Sequence, residues 1–254
     1  MLKKRVIPCL LIDDGRLVKT RQFTSAKYVG DPINAIRIFN EKEVDEIIVL
    51  DIGASKSARE PDYALIEQFA GECFMPLCYG GGITNVEQAK RLFSIGVEKL
   101  CIQTAVLNDM RLVREIADRY GSQAIVVSVD IKRSIFGGHH LYSSSLRKMQ
   151  KTPWQQFMGM AVENGAGEII LSSVDRDGML QGMDIELIRL ASKGLSVPLI
   201  AVGGVGSLSD IRAAAEAGAS GIAAGAFFVF HGPHRAVLIS YPHYHELEAI
   251  LGSE

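Results

Sequence analysis

The chain has 254 residues, of which 48% are hydrophobic, and a formal net charge of −2. This balance gives no basic footprint, so nucleic acid is excluded as a main partner. No apolar run is long enough to cross a bilayer, and the start of the chain lacks a secretory cleavage signal. We therefore expect a cytoplasmic globular protein with no membrane partner.

The cysteines argue against a metal site or a disulfide framework. Their spacing lacks the close pairs of a zinc site, and a chain of this size does not need disulfides. They are Cys9, Cys73, Cys78 and Cys101. We expect reduced core thiols, and neither a metal nor a cofactor.

Short apolar runs bounded by turn residues recur eight times along the chain. They cover residues 6–12, 46–50, 76–78, 99–102, 124–129, 168–171, 198–202 and 221–224. Between them lie segments of helical period that end at glycine, such as 86–95 and 208–217. Eight alternations of strand and helix predict an α/β fold, the (β/α)8 TIM barrel.

The second half of the chain repeats the first. Gly81 and Gly82 align with Gly203 and Gly204, and the surrounding apolar positions align at the same offset. Neither half contains enough strands to close a parallel sheet alone. We therefore expect a single domain over residues 1–254, made of two half-barrels at about 1–120 and 121–254.

Each half contains a glycine turn suited to binding phosphate. Glycine lets the backbone approach an anion, and the N–H groups that open the next helix can donate to it. The predicted phosphate-binding residues are Gly81, Gly82, Gln103, Thr104, Asp177, Gly178, Gly203, Gly204, Gly225 and Ala226. Two such sites predict a small ligand with a phosphate at each end. The alternative for either copy alone is a plain tight turn.

Asp130 and Lys19 are the catalytic candidates. Asp130 ends a buried strand, where burial would raise its pKa toward that of a useful acid or base. Lys19 follows the first strand and could reach a ligand phosphate. The alternatives are a structural hydrogen bond for Asp130 and a solvated side chain for Lys19. Leu11 occupies the position matching Asp130, so a second facing carboxylate is missing unless Asp13 or Asp14 points inward, and at most one can.

Three further features have expected roles. Residues 14–30 and 133–152 form long connections on the active face, which we expect to be loops that serve as lids or contact substrate. The late histidines His231, His234, His243 and His245 fit a solvated tail better than a metal site. Asp51 is expected to be structural.

The opposite mouth of the barrel contains a quartet of charges that alternate in sign along the chain. Arg5, Glu46, Lys99 and Glu168 each stand at the start of a predicted strand. They could meet in a ring of ion pairs over the barrel axis. Such a ring could stabilise the barrel bottom or form a closable gate for a small solute.

The chain resembles the cyclase subunit of imidazole glycerol phosphate synthase over nearly its whole length. The segments that carry the resemblance are 5–10, 14–19, 30–32, 80–83, 121–123, 165–169 and 175–178. The resemblance implies that a glutaminase subunit docks at the barrel bottom and that ammonia passes through the barrel to a ligand with two phosphates. It also implies that the quartet is the ammonia gate, that Asp130 is catalytic and that the glycine turns bind phosphate.

The chain departs from this family at three positions. Leu11 replaces the family's other catalytic aspartate, Gln103 replaces an asparagine and Met179 replaces a threonine. Losing a general acid or base commonly costs a factor of about 100 to 10,000 in rate, so the cyclase activity is expected to be reduced.

Segments 10–20 and 231–239 resemble a glycosyl amidation-associated subfamily of the same proteins. This resemblance implies delivery of ammonia for an acetamidino sugar of surface polysaccharide, with an ATP-dependent sugar amidotransferase as a further partner. The leading hypothesis is thus a synthase subunit of a glutamine-dependent amidotransferase. The alternatives are an authentic cyclase of histidine biosynthesis, which is a lyase, a non-catalytic scaffold that activates the glutaminase, and a phosphosugar isomerase.

Overall fold

The structure is a computed structural model that describes residues 4–232 and 234–252. Its strands in chain order are β1 (Arg5–Asp13), β2 (Arg16–Arg21), β3 (Thr24–Gly30), β4 (Ile47–Asp51), β5 (Leu77–Gly80), β6 (Lys99–Ile102), β7 (Ile125–Arg133), β8 (His139–Ser143), β9 (Lys148–Met149), β10 (Glu168–Ser173), β11 (Leu199–Val202), β12 (Gly221–Ala224), β13 (Phe230–His231) and β14 (Ala236–Val237). Its helices are α1 (Pro32–Glu41), α2 (Tyr63–Glu72), α3 (Val86–Ser94), α4 (Arg111–Tyr120), α5 (Trp154–Glu163), α6 (Ile185–Ser192), α7 (Leu208–Glu216), α8 (Ala226–Val229) and α9 (Tyr244–Leu251).

Eight of these strands form a closed parallel ring. The order is β1, β4, β5, β6, β7, β10, β11 and β12, and β12 pairs with β1 to complete the circle. Each barrel strand overlaps one of the eight apolar runs predicted from the sequence, and its ends lie within about four residues of the ends of that run. The predicted TIM barrel is confirmed.

The repeat is visible in the backbone of the two halves. Asn85 begins α3 with φ −152° and ψ 168°, and Ser207 begins α7 with φ −154° and ψ 165°. Each side chain accepts a hydrogen bond from an N–H in the first turn of its helix, which stabilises the helix start. Gly81 and Gly203 both have positive φ, 126° and 106°, which favours glycine.

The barrel has two separate cores because successive side chains of a strand point to opposite faces. One core lies between the strands and the surrounding helices, and the other fills the inside of the barrel. The buried residues of this inner core are Ile7, Cys9, Ile48, Cys78, Cys101, Val126, Ile170, Ile200 and Ala223. Three of the four cysteines are therefore buried free thiols, whereas Cys73 is half-buried.

The two long connections were predicted as loops, and this prediction is wrong. The first contains the antiparallel strands β2 and β3, and the second contains β8 and β9. Each hairpin continues a barrel strand, because β1 turns back to pair with β2 and β7 turns back to pair with β8. The hairpins therefore extend the barrel at the carboxyl ends of its strands. Below they are called hairpin one (16–30) and hairpin two (139–149).

The four late histidines were expected to lie in a solvated tail; all four are exposed, but the segment that carries them is folded. Strands β13 and β14 pair as a short hairpin, and α9 follows with Leu247 buried against the rest of the protein. Glu246 accepts a hydrogen bond from the backbone N–H of His243 at 2.8 Å, which caps α9. The His243 and His245 rings stack 5.5 Å apart. His243 and His245 are thus exposed residues at the start of an ordered helix.

None of the helices within residues 4–232 and 234–252 combines the length and the apolar character required to cross a membrane.

Candidate functional site

One pocket lies at the carboxyl ends of the barrel strands, beside hairpin one. Most of the predicted site residues line it, namely Lys19, Gly81, Gln103, Thr104, Asp130, Asp177, Gly178, Gly225 and Ala226. Gly82, Gly203 and Gly204 do not line the pocket. A Cβ on Gly204 would lie 2.2 Å from the carbonyl oxygen of Gly182, so this glycine permits a tight turn next to the pocket.

Asp130 lies at the base of the pocket and is only 5% exposed. The Ser128 hydroxyl donates to its Oδ1 at 2.9 Å. Burial raises the pKa of the Asp130 carboxyl to about 6, and hydrogen bonds from Ser128 and Gln103 oppose that rise by favouring the ionised form. A carboxyl with this pKa can accept or donate a proton near neutral pH, as a general acid or base must.

Lys19 is buried in β2 of hairpin one and is 4% exposed, so the alternative of a solvated lysine is wrong. Its Nζ donates to the carbonyl oxygen of Cys9 at 2.6 Å. Burial lowers its pKa, since the charged ammonium loses hydration. A Cβ on Gly225 would lie 2.5 Å from this Nζ, so a larger residue just before α8 would require the lysine to move.

Leu11 lines the same pocket as Asp130 and pairs in register with Leu50 of β4. These two side chains make one wall apolar. Neither nearby aspartate takes the place of a carboxylate there, because Asp13 and Asp14 are not among the lining residues. The Asp14 side chain is 92% exposed. Within the described residues, Asp130 is therefore without a facing carboxylate partner from β1.

Asp51 has the structural role expected for it. Its Oδ1 accepts hydrogen bonds from the backbone N–H groups of Gly53 at 3.0 Å and Ala54 at 2.9 Å. These bonds hold the turn that follows β4. Asp51 also lines the pocket, and burial raises the pKa of its carboxyl.

Hairpin two supplies pocket residues that were not among the predicted site residues. The Ser144 hydroxyl donates to Gln103 Oε1 at 3.2 Å, and the Thr104 hydroxyl donates to Ser145 Oγ at 3.2 Å. Both serines line the pocket. The only sequence signal was a run of three serines in a long connection, which does not distinguish a pocket wall from a solvated turn.

Asp177 fastens hairpin one to the loop that follows β10. Its Oδ2 accepts from the Thr20 hydroxyl at 2.6 Å and from the backbone N–H of Phe23 at 3.3 Å. Gly178 packs under the same hairpin, where a Cβ would lie 2.0 Å from the carbonyl oxygen of Thr20. Asp177 and Gly178 both line the pocket, which supports the prediction that this loop belongs to the site. The Asp177 carboxylate, however, accepts its hydrogen bonds from hairpin one.

The predicted charge quartet forms a closed ring at the opposite mouth. Arg5 donates to Glu46 and, at 2.9 Å, to Glu168. Lys99 Nζ donates to Glu46 at 3.0 and 3.1 Å and to Glu168 at 3.1 and 3.2 Å. Both carboxylates are almost fully buried, at 2% and 8% exposure. The inner core lies between this ring and the pocket.

The closed ring of strands and the polar pocket at their carboxyl ends define a (β/α)8-barrel protein with its site on the usual catalytic face. Residues 5–233 match the family described as "Histidine biosynthesis protein", and the chain belongs to this family.

Within the family the chain is HisF-like, as three of its relatives illustrate. It is 53% identical over 252 residues to a Pseudomonas aeruginosa protein provisionally named imidazole glycerol phosphate synthase subunit hisF2, covering 98% of this chain and 99% of that protein. It is 44% identical to a provisionally named HisF subunit from Leptospira interrogans, covering 98% and 99%. It is 39% identical to the imidazole glycerol phosphate synthase subunit HisF of Thermobifida fusca, covering 90% and 91%.

Proposed function

We propose that this chain is the synthase subunit of a glutamine-dependent amidotransferase whose acceptor is not the substrate of histidine biosynthesis. A glutaminase subunit docks at the barrel bottom, and its ammonia passes the charge ring and the inner core. The ammonia then reacts in the pocket with a phosphorylated acceptor. One observation supports this proposal most. The charge ring is closed and Asp130 lies in the pocket, but Leu11 makes the wall of that pocket apolar.

The charge ring supports docking and gating at the bottom mouth. Its two cations and two carboxylates satisfy one another, so the ring closes the axis, while Arg5 and Lys99 remain partly accessible to a partner. The inner core above it contains side chains such as Ile48, Cys78 and Val126, which carry no charge while the thiol is protonated. Burial raises the pKa of Cys78 well above its usual value, so the thiol stays neutral. Such a lining favours neutral ammonia over the ammonium ion.

The pocket is suited to a reaction in which Asp130 is the single acid or base. Asp130 in its ionised form can take the proton that ammonia releases when its nitrogen bonds to the acceptor. In this proposal Lys19, a buried cation that lines the pocket, binds an acceptor phosphate. The wall made by Leu11 and Leu50 offers apolar contact where a second acid or base would stand. We propose, from the subfamily resemblance, that the acceptor is the acetamido group of a sugar for surface polysaccharide, with an ATP-dependent sugar amidotransferase as partner. ATP would transfer a phosphate to the amide oxygen, and as ammonia forms the C–N bond of the acetamidino group that oxygen would leave as phosphate.

The second candidate is an authentic imidazole glycerol phosphate synthase cyclase. The Thermobifida fusca relative bears that name at 39% identity, and Asp130 and Lys19 would act on a bisphosphorylated ribonucleotide. The apolar wall at Leu11 argues for the amidotransferase of another pathway, because a two-carboxylate mechanism would lack one of its groups.

Docking at the barrel bottom can be tested with a glutaminase subunit of imidazole glycerol phosphate synthase as the probe. On mixing, backbone hydrogen exchange should slow around Arg5, Glu46 and Lys99, and the rate of glutamine hydrolysis should rise. Exchange around Asp130 at the top should not slow in the absence of acceptor. Protection confined to the top face, or no complex at micromolar concentration, would argue against docking at the ring.

A further inference from the structure

Two arginines from distant parts of the chain meet at the loop that follows β10. Arg235, in the short β13–β14 hairpin, donates from Nη1 to the carbonyl oxygen of Gly178 at 3.1 Å and from Nη2 to that of Met179 at 3.2 Å. Arg21 ends β2 of hairpin one, and its Cα lies 3.4 Å from where a Cβ on Gly178 would be. Both residues therefore contact the same glycine.

Neither arginine has an acidic partner in the part of the chain that the structure describes. Within residues 4–232 and 234–252, no carboxylate oxygen lies within 4.0 Å of either guanidinium group. The two nearest acids along the loop are engaged elsewhere, since Asp177 accepts from Thr20 and Phe23 and Asp175 accepts from the backbone N–H of Arg133 at 2.7 Å. Burial, and then the charge of Arg21, lower the pKa of Arg235.

Much of the hydrogen-bonding capacity of this pair is unused. A guanidinium group has five N–H donors, of which Arg235 uses two on carbonyl oxygens. The Arg21 side chain donates to no group in the described part of the chain. Arg21 is close enough for its charge to lower the pKa of Arg235, and an anion bound by both guanidinium groups would offset this repulsion.

The pair stands next to the pocket. Gly178 lines the pocket, and its carbonyl oxygen binds Arg235 on the other side of the loop. Arg235 is held in place by its own hairpin, where the backbone N–H of Leu238 donates to the carbonyl oxygen of Val229 at 2.9 Å. A ligand that fills the pocket and extends over this loop would reach the arginines.

We propose that Arg21 and Arg235 form an anion site at the pocket rim that binds a phosphate or diphosphate group of the acceptor. This site lies beside Gly178, apart from the glycine turns at residues 81–82 and 203–204, and would select an acceptor that carries an additional charged group. Guanidinium groups suit phosphate because they donate parallel N–H bonds to its oxygens. The inference rests on the proposed use of the pocket for a phosphorylated acceptor.

The test is calorimetric titration of inorganic pyrophosphate into the whole protein and three variants. Arg21→Glu places an acid beside Arg235 and should weaken rim binding by about tenfold or more, since a charge-assisted hydrogen bond contributes about 1.5 to 3 kcal/mol. Arg212→Glu is the control, because it makes the same charge change on exposed α7. Lys19→Met removes the cation of the pocket and leaves the rim intact.

The inference predicts a binding event that is lost in Arg21→Glu but kept in Arg212→Glu and Lys19→Met. Arg21→Glu should unfold at the same temperature as the wild type or above it, because the new carboxylate can pair with Arg235. Equal binding by Arg21→Glu and Arg212→Glu would overturn the inference. If Lys19→Met keeps all of the wild-type binding, the result supports the rim site and contradicts the proposed binding of phosphate by Lys19 in the pocket.

Discussion

Replacing Asp130 with asparagine is expected to lower the ammonia-dependent activity by about 100-fold to 10,000-fold, the usual cost of removing a general acid or base. Asparagine preserves the shape of the side chain but cannot exchange a proton near neutral pH. Initial rates with saturating ammonium salt measure the effect directly, because they bypass the glutaminase. Ser128→Ala is the matched control, since it removes one hydrogen bond to Asp130 and leaves the carboxyl in place.

The same substitution should stabilise the fold at neutral pH. The pKa of Asp130 is about 6 in the folded protein, above its ordinary value of 3.8. The folded state therefore binds this proton more tightly than the unfolded state, and the contribution of Asp130 to stability falls as pH rises from about 4 to about 6. Above pH 6 the buried charge costs on the order of 3 kcal/mol, since each unit of pKa shift corresponds to about 1.4 kcal/mol. Urea unfolding of Asp130→Asn and wild type should differ by this amount at pH 7 and little at pH 4.

Retention of full coupled activity by Asp130→Asn would contradict a catalytic role. That result would support a scaffold that only activates its partner. A loss of activity together with a loss of stability at pH 7 would also contradict the account, because it would assign Asp130 a structural role.

Removing Glu46 should have the largest effect on stability. Its carboxylate is 2% exposed and accepts from both Arg5 and Lys99. Truncating one partner of a buried ion pair commonly costs about 3 to 5 kcal/mol, because the remaining charges stay buried without compensation. We therefore expect Glu46→Ala to lower the free energy of unfolding, measured with urea, by about 3 kcal/mol.

The chain contains a matched control for this measurement. Glu216 accepts from Arg212 at 2.8 Å on the exposed surface of α7, and Glu216→Ala should cost less than about 1 kcal/mol. At temperatures where both variants are folded, Glu46→Ala should also reduce activity with glutamine more than activity with ammonium salt. Equal costs for the two substitutions, or equal losses with both nitrogen sources, would contradict a buried gate.

The sequence allowed prediction of the barrel because eight apolar runs of strand length are hard to arrange otherwise. It also predicted the closure of the charge ring, since the first residues of parallel strands gather at one mouth. The hairpins were missed because their strands are rich in polar and charged residues; in β3, for example, residues 24–28 are all exposed. The burial of Lys19 follows from hairpin one folding over the barrel, which no local pattern indicates.

The rim arginines illustrate a different limit. Arg21 and Arg235 are separated by most of the chain, and each alone resembles an ordinary surface residue. Their proximity depends on two hairpins that meet at Gly178. The apolar wall at Leu11, in contrast, was predictable, because the end of the first strand must face the pocket in this fold.

We propose above all that the pocket has lost histidine-pathway cyclisation while keeping an acid or base for another acceptor. The most direct test is the turnover of bisphosphorylated ribonucleotide with ammonium salt by the purified wild type and by Leu11→Asp, beside the Thermobifida fusca HisF subunit. The account predicts wild-type turnover about 100-fold or more below that subunit, and a rise in Leu11→Asp. Wild-type turnover equal to that of the Thermobifida fusca subunit would contradict it.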